Sequence, residues 1–99
     1  MAQIQRIRHM ERQLDSLVAA TKAMDKALCR FAEAQKAAQE LDSYYGSHEW
    51  RQDLQADEAG LLPAKLKRGV LSEDGTWNAL ADYRDTLRRM ADMTENTKQ

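Results

Sequence analysis

Ninety-nine residues, 15 of them basic and 16 acidic for a formal net charge of −1, describe a chain near the size of one hydrophobic core. That balance gives no global field to draw it toward DNA, RNA or anionic lipid. A single cysteine, Cys29, excludes an internal disulfide framework and a structural zinc set, and no apolar run approaches the ~20 residues of a membrane span.

In chain order, the amino terminus MAQIQRIRH carries charge with no apolar core behind it. A secretory signal is therefore not expected, and the cytoplasm is the expected compartment. Residues 3–45 contain neither Gly nor Pro and are rich in Ala, Gln, Glu, Lys, Arg, Leu and Met, the strong helix formers. Ile7, Met10, Leu14, Leu17, Thr21, Met24, Leu28 and Phe31 follow steps of three and four, with Ile4 and Val18 widening the stripe. The repeat falters at Gln35 and Asp42, and Ala34, Ala38, Leu41 and Tyr45 carry it on in a shifted phase. One helix of this length would measure about 65 Å, with Gly46 as its stop.

Residues 47–71 read as a compact helical connector. Ser47 caps a short helix that ends near Gly60, Leu62 before proline is extended or in a turn, and Pro63 opens a helical turn through Leu66 that stops at Gly69. Ser72-Glu73-Asp74 places a hydroxyl cap and two carboxylates at the start of a last helix over about 73–93. Its stripe is Thr76, Leu80, Tyr83, Leu87 and Met90, and residues 94–99 are expected to fray. The fold class is thus all-α. It is a single domain, 1–99, built as an antiparallel hairpin of one long and one shorter helix. The shorter helix covers only ~30 Å of the longer one. The remaining stripe needs other cover, so self-association, most simply as a dimer, is expected.

The connector carries a resemblance. Tyr44 to Gly75 reads YYGSHEWRQDLQADEAGLLPAKLKRGVLSEDG. The turn Tyr44-Tyr45-Gly46-Ser47, then Glu49-Trp50, Asp53, Ala56 to Gly60, Leu62-Pro63 and Leu66 to Asp74 resemble a small bacterial family known only as a domain of unknown function. The resemblance implies helices on both sides of the connector and brings no activity with it.

The same segment holds most of the chemistry. Glu49, Asp53 and Asp57 stack on one side of the short helix, a spacing that is mildly unfavourable unless cations lie opposite. Lys65, Lys67 and Arg68 follow, and an arginine–carboxylate fork is the best geometric match. Two readings stay open. One is an internal ion-pair clasp that fixes the path of the connector. The other is a surface, including Trp50 and Glu58, that meets a protein partner. The spacing is not that of a calcium loop, so neither metal nor cofactor is expected. Trp50 with Leu54, and Trp77 with Leu80, read as core residues at the end of the hairpin, with Trp50 also a candidate contact.

Arg6, Arg8, His9 and Arg12 gather at the end of the first helix where the dipole disfavours cations. They form a solvated face relieved by Glu11 and Asp15, or a patch for an acidic partner. No helix-turn-helix accompanies them. Catalysis has little footing. His9 and His48 pair with no nucleophile, Cys29 falls on the solvent side of the stripe, and the four glycines are isolated. The expectation is a non-enzymatic helical protein acting by protein–protein contact, with no catalytic residues. It would be an adaptor or a small inhibitor of a larger enzyme, encoded by a bacterium or a mobile element such as a phage. For an inhibitor, Glu49, Asp53, Asp57 and Glu58 would face a basic groove. The alternative is weak nucleic-acid binding through Arg6, Arg8 and Arg12, with strong salt dependence.

Overall fold

The computed structural model describes residues 2–97, and the chain divides into two compact units, Met1–Gln35 and Lys36–Gln99. Every regular element among the described residues is helical, so the protein is all-α. Helix α1 spans Ala2–Tyr44 without interruption, passing straight through the phase change at Gln35. A shift in hydrophobic phase alters which face is covered. It does not remove a backbone hydrogen bond, and strong helix formers on both sides carry the helix across.

In the first unit α1 buries no side chain. Its stripe lies open to solvent: Ile7 is 53% exposed, Leu14 53% and Leu17 66%. Within Lys36–Gln99 the face in use is the one the sequence shift marks, with Ala38, Leu41 and Tyr45 half-buried.

α1 ends where Gly46 adopts φ 80°, a left-handed conformation that glycine takes without a Cβ clash. Ser47 (φ −70°, ψ 170°) then caps helix α2, His48–Glu58, its Oγ accepting the Trp50 N–H. α2 closes with the Leu61 N–H bonded to the Ala56 carbonyl at 2.9 Å and the Gly60 N–H to that of Asp57 at 3.0 Å, a Schellman arrangement around left-handed Gly60.

Between α2 and the last helix the details depart from expectation. Pro63 to Leu66 makes one turn, closed by the Leu66 N–H on the Pro63 carbonyl at 3.1 Å, and not a turn of helix. The short helix of this segment is a 3-10 turn at Gly69–Leu71, so Gly69 starts it where a stop was expected. Arg68 precedes it outside helical geometry, at φ −128° and ψ 26°, and its side chain pairs with a carboxylate on α2.

Helix α3 spans Gly75–Thr97, starting about two residues later than the sequence suggests. Ser72 still caps it, with Oγ accepting the Gly75 N–H at 2.9 Å. The helix continues through 94–97, the stretch where the sequence leads to an expectation of fraying. Thr94 and Thr97 donate their hydroxyls to the carbonyls of Met90 and Met93 at 2.6 and 2.7 Å, the back-bond to the preceding turn that threonine makes inside a helix. Positions 98–99 lie outside the described residues.

Leu71 and Leu80 form the buried apolar centre of the second unit, with Thr76 buried beside them and Tyr83, Leu87 and Met90 half-buried along the same face of α3. Trp77 does not join them: it is 59% exposed. Its neighbour Thr76 and Leu80, one turn on, take the inward direction, which turns Trp77 about 100° away around the helix. Tyr45 donates its hydroxyl to the Glu73 carbonyl at 3.2 Å and Asp42 meets Arg84 at 3.6 Å. Later positions of α3 thus meet earlier positions of α1, so the two run in opposite senses within this unit.

Candidate interaction surface

The connector is held by three contacts that begin with the short helix. α2 starts two residues after the reversal at Gly46, and its Asp53 carboxylate turns back to the end of α1. Tyr44 donates its hydroxyl to Asp53 Oδ2 at 2.6 Å. This bond, with partial burial and the nearby negative charges of Asp53 and Glu49, pushes the Tyr44 phenol up to about 12. One turn further along α2, Asp57 accepts from Arg68 Nη1 at 2.6 Å, with both side chains about a third exposed or less.

The third contact is aromatic. Trp50 donates its indole N–H to the Val70 carbonyl at 3.0 Å, and its ring meets Tyr45 edge-on with centroids 5.2 Å apart. Trp50 is thereby half-buried, tying α2 to the 3-10 turn.

The four acidic positions therefore differ in what they do. Asp53 is committed to Tyr44 at the end of α1, and Asp57 to Arg68 within the connector itself. Glu49 and Glu58 are exposed. Among the described residues, no group of three or more His, Cys, Asp or Glu side chains is placed to hold a metal ion.

Lys67 does not join Arg68 in the clasp. It borders a shallow apolar groove with Leu41, Val70, Thr76 and Ala79. In the first unit Arg6, Arg8 and Arg12 are exposed, and Cys29 is an exposed free thiol.

Sequence reasoning identified Arg68 with a carboxylate partner in view, but missed Tyr44, Tyr45 and the Val70 carbonyl. Tyr44 and Asp53 are nine positions apart across a chain reversal. No helical spacing relates them, and the paired tyrosines before Gly46 were the one available signal.

None of these groups forms a nucleophile with an adjacent base, and no described helix is long and apolar enough to cross a membrane. Compared with known families, residues 7–93 match the model described as Domain of unknown function (DUF4298). No curated protein and no solved structure matches the chain.

Proposed function

The chain belongs to the DUF4298 family, and from that footing we propose that it is a non-enzymatic helical protein that works by binding another protein chain, as an adaptor or as a small inhibitor of a larger enzyme. One observation carries this reading. The first unit holds a helix whose apolar stripe recurs at steps of three and four and stays about half exposed or more from Ile4 to Leu28, apart from Val18 at 45% and the polar Thr21. Met24 and Leu28, at 49%, complete the stripe. A contiguous exposed apolar strip of this kind marks a contact surface. It also leaves a long helix with little tertiary support, since an isolated helix gains most of its stability by packing one face.

The second unit adds a smaller surface in which exposed Glu49 and Glu58 remain free to meet a basic partner, while Asp53 and Asp57 hold the connector. The inhibitor mode therefore rests on two carboxylates.

Affinity capture with the full chain from its native host tests the reading, run beside a variant carrying Leu14→Gln and Leu17→Gln. Both leucines are exposed, so the second unit keeps its fold. A stoichiometric protein held by the wild type and lost by the variant is the expected result. Indistinguishable captures would remove the stripe from the function. Titration of a labelled DNA or RNA duplex at low salt covers the alternative through Arg6, Arg8 and Arg12, whose affinity would collapse by roughly 200 mM salt.

A further inference from the structure

We infer that the stripe of the first unit is occupied by a second copy of the chain, as a parallel, in-register two-stranded coiled coil; this rests on reading the stripe as a contact surface. Ile7, Leu14, Thr21 and Leu28 take one set of seam positions, and Met10, Leu17 and Met24 the other. The repeat has seven-residue spacing over more than three heptads, enough for a coiled coil.

The flanking charges select the orientation. In a parallel pair, the residue before each first seam position faces the residue five further on in the partner. Arg6 then faces the partner's Glu11, twice by symmetry, and no pair of like charges arises anywhere along the seam: Gln13 meets the partner's Val18, Ala20 the partner's Asp25. Antiparallel pairing does worse. With Leu14 against the partner's Leu17, Arg6 faces the partner's Ala27 and Glu11 faces the partner's Val18. One heptad along, Glu11 faces the partner's Asp25, two like charges.

Thr21 selects the register. It is the one polar seam residue between Ile7 and Leu28. In register, Thr21 meets the partner's Thr21, so the two hydroxyls share one layer. A shift by a heptad sets each against a leucine, and the antiparallel pairing sets it against the partner's Met10. A lone polar seam position is a recognised way of fixing alignment.

Cys29 lies outside the seam and is exposed. It is replaced by serine for the test, and Met24→Cys or Met10→Cys is added to the full chain. In the parallel pair each new cysteine meets its own copy, and both variants form disulfide-linked dimers in a glutathione buffer. In the antiparallel pairing of Leu14 with the partner's Leu17, the two copies of position 24 would lie about 26 Å apart and those of position 10 about 17 Å, so neither variant would cross-link alone.

Charge exchange gives the second readout. Arg6→Glu and Glu11→Arg each create two repulsive pairs in the homodimer and should weaken self-association about tenfold. Mixed together, the two variants should form the heterodimer preferentially, because each variant relieves the repulsion that the other carries. Sedimentation equilibrium of the wild type should show a dimer, with helicity that falls on dilution. A dimer without these cross-links or this pairing preference overturns the orientation. A chain that stays monomeric, with helicity independent of concentration, overturns the proposal. If that monomer still captures a different protein through Leu14 and Leu17, the contact-surface reading survives. If it does not, both fall.

Discussion

The indole N–H of Trp50 donates to the carbonyl oxygen of Val70 at 3.0 Å, across twenty residues of sequence. The same side chain meets Tyr45, whose hydroxyl donates to the Glu73 carbonyl, so one aromatic pair links the end of α1, α2, the 3-10 turn and the approach to α3. A unit with so small a buried centre depends on such links. Trp50→Phe keeps a ring beside Tyr45 and removes the donor, and should cost the second unit about 1 kcal/mol. Trp50→Ala also removes the apolar contact, for a loss of about 2–3 kcal/mol, below the fully buried case because Trp50 is half-buried. Urea midpoints followed by circular dichroism measure both. A Phe variant as stable as the wild type would show that the bond to Val70 contributes nothing in solution.

Tyr44 makes a prediction with a defined pH window. Its phenol is raised from 10.0 to about 12, first by the hydrogen bond to Asp53, then by desolvation and the negative charges of Asp53 and Glu49. Ionisation would remove the donor and set a phenolate against a carboxylate. The neutral form is the one favoured by folding. The stabilisation is therefore complete below pH 10 and is lost as pH rises through about 12. Phenolate absorbance should show one tyrosine titrating near that upper value, absent in Tyr44→Phe and lowered toward 10.0 in Asp53→Asn. A titration unchanged by Asp53→Asn would mean that the bond does not form.

The Arg68–Asp57 pair separates an internal clasp from a contact surface. At 2.6 Å, with side chains 35% and 26% exposed, it lies between a surface pair and a buried one. A double-mutant cycle of Arg68→Met and Asp57→Asn should give a coupling energy of about 1 kcal/mol after allowance for solvent screening. Binding of a captured partner should survive Asp57→Asn and weaken with Glu49→Gln and Glu58→Gln. The reverse pattern would place Asp57 in the contact and dissolve the clasp.

Local patterns in the sequence carried the helices because local physics makes them. Uninterrupted helix formers specify α1, the Ser47 and Ser72 hydroxyls specify two starts, and the move from Ile7–Leu28 to Ala38–Leu41–Tyr45 marks where the covered face changes. The connector was legible only as composition. Its contacts join residues across reversals at Gly46 and around Gly60, where the direction of the chain depends on backbone angles that no periodicity encodes. Trp77 was misread for a related reason. Size favours burial of tryptophan, but Thr76 and Leu80 already occupy the inward arc of α3.

Gly75 offers a test in which the usual effect of a substitution reverses. Replacing glycine by alanine in a helix ordinarily stabilises it by up to about 1 kcal/mol. Here an added Cβ would lie 2.5 Å from the Gly69 carbonyl oxygen and 2.5 Å from Ser72 Oγ. Both atoms are committed, since Ser72 Oγ donates to that carbonyl and accepts the Gly75 N–H, each at 2.9 Å. The backbone oxygen cannot swing aside as a flexible side chain would, so Gly75→Ala must open the cap or push the 3-10 turn off α3, at a cost of about 2 kcal/mol. Gly46→Ala, where φ is 80° and the surrounding space is open, should cost about 1 kcal/mol from backbone strain alone. Adding Ser72→Ala to Gly75→Ala removes one of the two clashes, and the pair should destabilise less than the sum of the single changes. Thermal unfolding of the four variants decides it, and a stabilising Gly75→Ala would mean that the 3-10 turn does not pack against the start of α3 in solution.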